Sequence, residues 1–121
     1  MNARSRIPLI EKYAFGSMRV GGRTYYSDIF ITAGAITEWW REESHLVQPP
    51  DIVTILKEKP AVLVLGTGYS GGMQVSTETT KLCEERGIEL IVGLTAISLD
   101  IYNKIVLEGK KTVVAAFHLT C

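Results

Sequence analysis

The chain has 121 residues, 46% of them hydrophobic and 21% charged, with 13 basic residues balancing 13 acidic ones. Such a composition is globular, and the cancelled charge gives no overall attraction to nucleic acid or to an acidic membrane surface. The length predicts a single domain with a sizeable core, and no apolar run approaches the ~18 residues that span a bilayer.

Cys83 and Cys121 stand far apart, without CxxC or Cys/His ligand spacing. No metal and no disulfide is therefore expected, and free thiols fit a reducing cytoplasm. The N-terminus lacks the apolar region of a signal peptide. Arg4 and Arg6 read as a solvated basic tip. The chain, as given, reads as soluble and cytoplasmic.

In chain order, the pattern is β up to about residue 45. Tyr13–Val20 and Thr24–Tyr26 flank Gly21-Gly22, a pair suited to a tight hairpin. Ile29–Ala33 and Ala35–Trp40 read as further strands around Gly34. On a strand the rings of Trp39 and Trp40 point to opposite faces. They are the candidate interface residues, with Arg41, Glu42 and Glu43 as a charged rim. The competing reading packs both rings internally.

From Pro49 to Cys121 helices and strands alternate. Pro49-Pro50-Asp51 starts a helix that places Ile52, Ile55 and Leu56 on one face and stops at Pro60. Ala61–Leu65 is a buried strand. Gln74–Arg86 reads as a helix with Val75, Thr79, Leu82 and Cys83 aligned and Gly87 as its stop. Ile88–Val92 is a second buried strand. Thr95 is expected to cap a helix over Ala96–Glu108, with Ile97, Ile101 and Ile105 inward. Thr112–Phe117 is the last strand. This alternation predicts an α/β layer with parallel neighbouring strands and right-handed crossovers. The earlier strands should extend its edge antiparallel or form a small second sheet.

Three motifs overlap in the turn after the first buried strand. Gly66-Thr67-Gly68-Tyr69-Ser70-Gly71 spells the dinucleotide fingerprint GxGxxG. That fold also needs an acid at the end of the next strand, where Gly93 stands instead; Glu89 is at the wrong end. Gly66 and Gly71 have P-loop spacing, but Gly72-Met73 replaces the lysine and hydroxyl residue that hold phosphate and magnesium. Gly68-Tyr69-Ser70-Gly71-Gly72 spells the nucleophile elbow, with Asp100 and His118 following in hydrolase order. Gly66 and Thr67 intervene between strand and elbow, however, and the chain is about half the usual size for that fold.

What survives is general. A strand feeding a glycine-rich turn can direct N–H groups at an anion. The candidate ligand set is Gly66, Thr67, Gly68, Tyr69, Ser70 and Gly71, joined at the same sheet edge by Thr95. His118 joins them only if the last strand is parallel. The competing reading is that the glycines let a helix pack close to the sheet.

Several landmarks together resemble a known family. They are the Gly16-(x)4-Gly21 hairpin followed by Tyr25 and Asp28, the Gly66-Thr67-Gly68 turn, and Leu94-Thr95-Ala96-(x)5-Tyr102-Asn103. Glu108-Gly109-Lys110-Lys111, before a Val-Val-Ala-Ala strand ending His118-Leu119-Thr120-Cys121, completes the set. Over roughly Ile10–Cys121 the chain resembles domain of unknown function family 498, the Mth-938-like family. The resemblance implies a three-layer α/β fold with a central mixed, mostly parallel sheet flanked by helices and an antiparallel N-terminal β region. It implies no accepted activity, no catalytic residue and no cofactor. Relatives include a mitochondrial complex I assembly factor and an adipogenesis-associated protein, both thought to act through partners.

Two functions are thus expected in competition. One is a non-enzymatic protein-interaction or assembly module, with self-association included. The other is a binder of a small anion or nucleotide-like metabolite at Gly66–Gly72, with an enzyme included. Neither involves nucleic acid, membrane or metal.

Overall fold

The structure is a computed structural model that describes residues 7–121. The basic tip of Arg4 and Arg6 lies outside the described residues. Strands β1 (Ile10–Ala14), β2 (Ser17–Val20) and β3 (Arg23–Tyr25) form an antiparallel sheet in that order. Gly21 and Gly22 join β2 to β3 with φ of +57° and +84°, the left-handed values a two-residue hairpin turn demands. The predicted continuous strand Tyr13–Val20 is in fact two strands. Gly16, at φ +82°, lets the chain reverse after Phe15.

The central sheet takes β4 (Ile29–Ile31), β5 (Ile36–Glu38), β7 (Val62–Gly66), β9 (Glu89–Gly93) and β10 (Val113–Phe117) in the order β5-β4-β10-β7-β9. β10, β7 and β9 are parallel, whereas β4 and β5 are antiparallel additions at one edge. The N-terminal strands therefore divide, three forming a separate sheet and two extending the central one.

Helices α1 (Pro49–Leu56) and α2 (Thr77–Glu85) cover one face of this sheet, and α3 (Thr95–Glu108) with the β1–β3 sheet covers the other. Strand alternation sorts the core between them. Val62, Val64, Ala115 and Phe117 pack with Met18, Ile29 and Tyr102 on one side. Leu63, Leu65, Val114 and Ala116 pack with Ile52, Ile55 and Cys83 on the other. All five residues of β7 are buried, as its unbroken apolar run predicts. Among the described residues no helix is long and apolar enough to cross a membrane.

Two helix starts differ from the sequence reading. Gln74 and Val75 form β8, paired in parallel with β6 (Leu46–Val47), instead of opening α2. Ser76 is the cap: its hydroxyl accepts the Thr79 N–H at 3.1 Å. Thr95 is the first residue of α3 and not its cap. The fully buried residues of α3 are Thr95, Ser98 and Tyr102; of the three expected isoleucines Ile105 packs partly buried against the core, Ile101 is half-buried and Ile97 is 56% exposed. Steric space decides this. A Cβ at Gly66 would lie 2.8 Å from Thr95 Oγ1 and 3.1 Å from Ser98 Oγ, so α3 sits too close to β7 for isoleucine at those positions.

Tyr102 and Asn103 tie α3 to the N-terminal region. Asn103 accepts the Ile10 N–H and donates to the Ile10 carbonyl, both at 2.8 Å, as a neighbouring strand would. The Tyr102 hydroxyl donates to the Pro8 carbonyl at 2.8 Å.

Candidate functional site

The carboxyl ends of β7, β9 and β10 come together under the glycine turn. The parallel pairing of β10 with β7 satisfies the condition for His118, whose N–H donates to the Gly66 carbonyl at 3.0 Å. Thr95 supplies the link between strands: its hydroxyl accepts the Gly68 N–H at 2.9 Å and donates to the His118 carbonyl at 2.7 Å. Gly66, Gly68, Thr95 and His118 thus form one continuous hydrogen-bonded unit.

Five of the turn's N–H groups, those of Thr67, Gly68, Tyr69, Ser70 and Gly72, are already engaged. The Thr67 N–H donates to the Gly93 carbonyl at 2.9 Å, and that of Tyr69 to the Thr120 carbonyl at 2.8 Å. The Ser70 and Gly72 N–H groups both donate to the Cys121 carbonyl, at 3.3 and 2.8 Å. The segment after β10 thus accepts from three of the N–H groups that the sequence reading offered to an anion. Gly68 is at φ +109°, and a Cβ there would stand 2.5 Å from the Thr120 oxygen and 2.8 Å from His118 Cδ2. Close approach of this segment, and of α3 at Gly66, is what the glycines permit.

Beneath the turn lies a buried polar cluster. Asp28 Oδ2 is 2.7 Å from both His118 Nδ1 and Arg41 Nη2, and Asp28 Oδ1 accepts the Leu119 N–H at 2.8 Å. Burial acts to raise the Asp28 carboxyl, but hydrogen bonds from His118, Arg41 and the Leu119 N–H together hold it below its ordinary value. An ionised Asp28 only accepts, so Nδ1 of His118 carries the hydrogen of that bond. The 3.3 Å approach of Arg41 Nη2 to Nδ1 is then contact between two donors sharing one oxygen. Arg41 also donates to the Ser44 carbonyl through Nε and Nη2 and lies 4.3 Å over the Trp39 ring. The His45 ring meets His118 edge-on at 5.4 Å. Arg41 Nη1 and His118 Nε2 are buried without a partner among the described residues.

Tyr13 closes the cluster from β1, donating to the Leu119 carbonyl at 2.9 Å. Burial, with Tyr69 and Asp28 nearby, pushes its phenol above the ordinary value against the opposing effect of the Thr95 hydroxyl. Above it, Tyr69 is 59% exposed and stacks edge-on with the exposed Phe15 at 5.7 Å.

Residues 10–118 match a family described as protein of unknown function, DUF498/DUF598. The chain belongs to this family. Solved structures agree with the assignment. The conserved hypothetical protein PH1505 from Pyrococcus horikoshii OT3 is 31% identical, with a TM-score of 0.84 over 93% of this chain and 98% of that one. The protein MT938 is 25% identical, with a TM-score of 0.81 over 94% and 99%. A Mth938-like domain protein from Bordetella pertussis shares the fold at 17% identity, with a TM-score of 0.67 over 98% and 88%.

In this DUF498 protein the hydrolase pattern does not assemble. The carboxylate that meets His118 is Asp28 and not Asp100, which is an exposed residue of α3. Trp39 and Trp40 separate as opposite-facing residues should. Trp39 is 4% exposed, with Nε1 donating to the Asp51 carbonyl at 2.9 Å, so it is a core residue and not a surface one. Trp40 is 74% exposed. Arg41 is buried, not part of a solvated rim, because its guanidinium is enclosed by Asp28, Ser44 and Trp39. The cluster has no spacing signature, since residues 28, 41 and 118 lie on three distant segments. Asp28 is visible in the sequence only as part of the family resemblance. Cys83 is a buried free thiol raised by burial, and Cys121 is free and exposed. Among the described residues no group of three or more His, Cys, Asp or Glu is placed to hold a metal ion.

Proposed function

We propose that this DUF498 member is a protein-interaction or assembly module without chemistry of its own. Its contact surface is the apolar patch above the glycine turn. One observation carries the reading: the N–H groups of Tyr69, Ser70 and Gly72 are taken up by Thr120 and Cys121, while the ring of Tyr69 stands exposed against Phe15. Leu94 extends the patch across Gly71, and the exposed Ile97 lies one helical turn beyond it. An apolar, aromatic surface rimmed by polar groups suits a protein partner, a second copy of the chain included. Trp40 offers a separate exposed aromatic anchor. A reducing cytoplasmic setting is part of this reading, and the free thiols of Cys83 and Cys121 support it.

A photo-crosslinking residue at position 15, used in cells, tests the proposal. A discrete adduct is expected, absent when the crosslinker sits at exposed Glu78 and lost on Tyr69→Ser with the melting midpoint unchanged. The same adducts from both positions would reject it.

The competing reading, a small-anion binder at this edge that uses Gly66–Gly71, Thr95 and His118, is favoured by one observation. Arg41 Nη1 and His118 Nε2 are buried without a partner among the described residues, and the two side chains meet on Asp28 through their other nitrogens, Nη2 and Nδ1. Buried polar atoms normally have partners, and a ligand or water is one way to supply them. A thermal-shift screen with phosphate, sulfate and mononucleotides decides it: the reading requires a shift that His118→Phe abolishes, and a flat screen removes it.

A further inference from the structure

At the opposite end of the parallel strands, a groove of about 550 Å³ opens between the C-terminal ends of α1 and α2. Its lining is Leu56, Pro60 and Ile88, all buried, together with the exposed Lys57, Lys59 and Arg86. None of the six is acidic. None of the three cations has an ion pair or a side-chain hydrogen bond among the described residues.

Helix ends account for only part of this charge. Lys57 and Arg86 are the C-cap residues of α1 and α2, where a cation opposes the negative pole of the helix dipole. Lys59 lies two residues beyond the cap of α1, its N–H donating to the Leu56 carbonyl at 3.0 Å. Its backbone is at φ +51°, the sole positive φ among described residues other than glycine. A left-handed residue is a common way to close the last turn of a helix ahead of a proline, and here that residue is a lysine. That position is on the rim of the groove.

From these features we infer that the groove binds a small organic anion, a phosphate monoester or carboxylate carrying an apolar ring or chain. The volume is that of an ordinary small-molecule site, with an apolar floor and a few polar groups at its mouth. The ring or chain would rest on Leu56, Pro60 and Ile88, and the charged head would sit among Lys57, Lys59 and Arg86. This site lies at the other edge of the sheet from the glycine turn and is independent of the function proposed above.

The probe is 1-naphthyl phosphate, followed by backbone amide shifts of the full chain, with 1-naphthol and inorganic phosphate as comparators. Naphthyl phosphate is expected to move the amides of Leu56, Lys57, Lys59, Arg86 and Ile88 with saturation. Each comparator, lacking one half of the recognition, should bind at least tenfold more weakly. Lys59→Gly removes a cation while relieving the backbone, so folding is retained, and it should weaken binding about two- to fivefold, the ordinary range for one exposed pair. Lys57→Glu combined with Lys59→Gly should weaken it further, as should added salt. Absence of saturable shifts at these amides, equal binding of naphthol, or no loss in the Lys59→Gly variant would overturn the inference.

Discussion

Asp28 and His118, ninety residues apart in the chain, meet at 2.7 Å and fix the segment after β10 to the start of β4. Arg41 completes the pair from a third segment, and its side chain is only 3% exposed. The cluster sits where β4 and β10 pair antiparallel, so it joins the N-terminal strands to the parallel part of the sheet.

Asp28→Asn should therefore cost about 3 kcal/mol at pH 7, because it leaves the Arg41 guanidinium buried without its counter-charge. The pH dependence has a defined sign. Asp28 is held below its ordinary value of 3.8, so its ionised form stabilises the fold above that pH, and the contribution is lost as pH falls from about 4 through the lower folded value. Urea unfolding of wild type and variant at pH 7 and pH 3 should show a gap that narrows in acid. A gap that is constant or wider at pH 3 would contradict the assignment.

Thr95→Val keeps the shape of the side chain and removes its hydroxyl. The Gly68 N–H and the His118 carbonyl then lose a buried partner, at about 1–3 kcal/mol for each unsatisfied group. Thr95→Ser should retain most of the stability. Equal melting midpoints for the valine variant and wild type would show that the hydroxyl is not the link between the turn and β10.

Gly68→Ala should destabilise by about 3 kcal/mol, combining left-handed strain with a Cβ driven against Thr120 and His118. The substitution strikes the fold itself, so it does not isolate ligand binding at the turn. Chemical denaturation checks the magnitude, and protease sensitivity at residues 119–121 shows whether that segment is displaced.

The two tryptophans should part company. Trp39→Ala removes a buried ring, its hydrogen bond to Asp51 and the surface under Arg41, at a cost of about 3–5 kcal/mol. Trp40→Ala should stay within about 0.5 kcal/mol of wild type. Denaturant midpoints of the two single variants make the comparison, and similar losses for both would place Trp40 in the core as well.

The local chemistry of the chain was enough to place its main helices and strands from Pro49 onward, although β9, expected to be buried, is a partly exposed edge strand. The unbroken apolar run of β7, Pro60 before it and the glycines at 87 and 109 specify elements through nearest-neighbour preferences, and the structure follows them within a few residues. The hairpin at Gly21-Gly22 was legible for the same reason, and the opposite facing of Trp39 and Trp40 followed from strand geometry. The order of strands in the sheet, which decides what gathers at its edge, is a property of long-range pairing that periodicity does not carry. Only when β10 lies parallel to β7 and antiparallel to β4 does His118 reach Asp28, and only then do Thr120 and Cys121 fill the turn. The helix face of α3 was likewise decided from outside: the close approach at Gly66 admits Thr95 and Ser98 and turns Ile97 to solvent, because space in a packed interior outweighs the apolar pattern of a single helix.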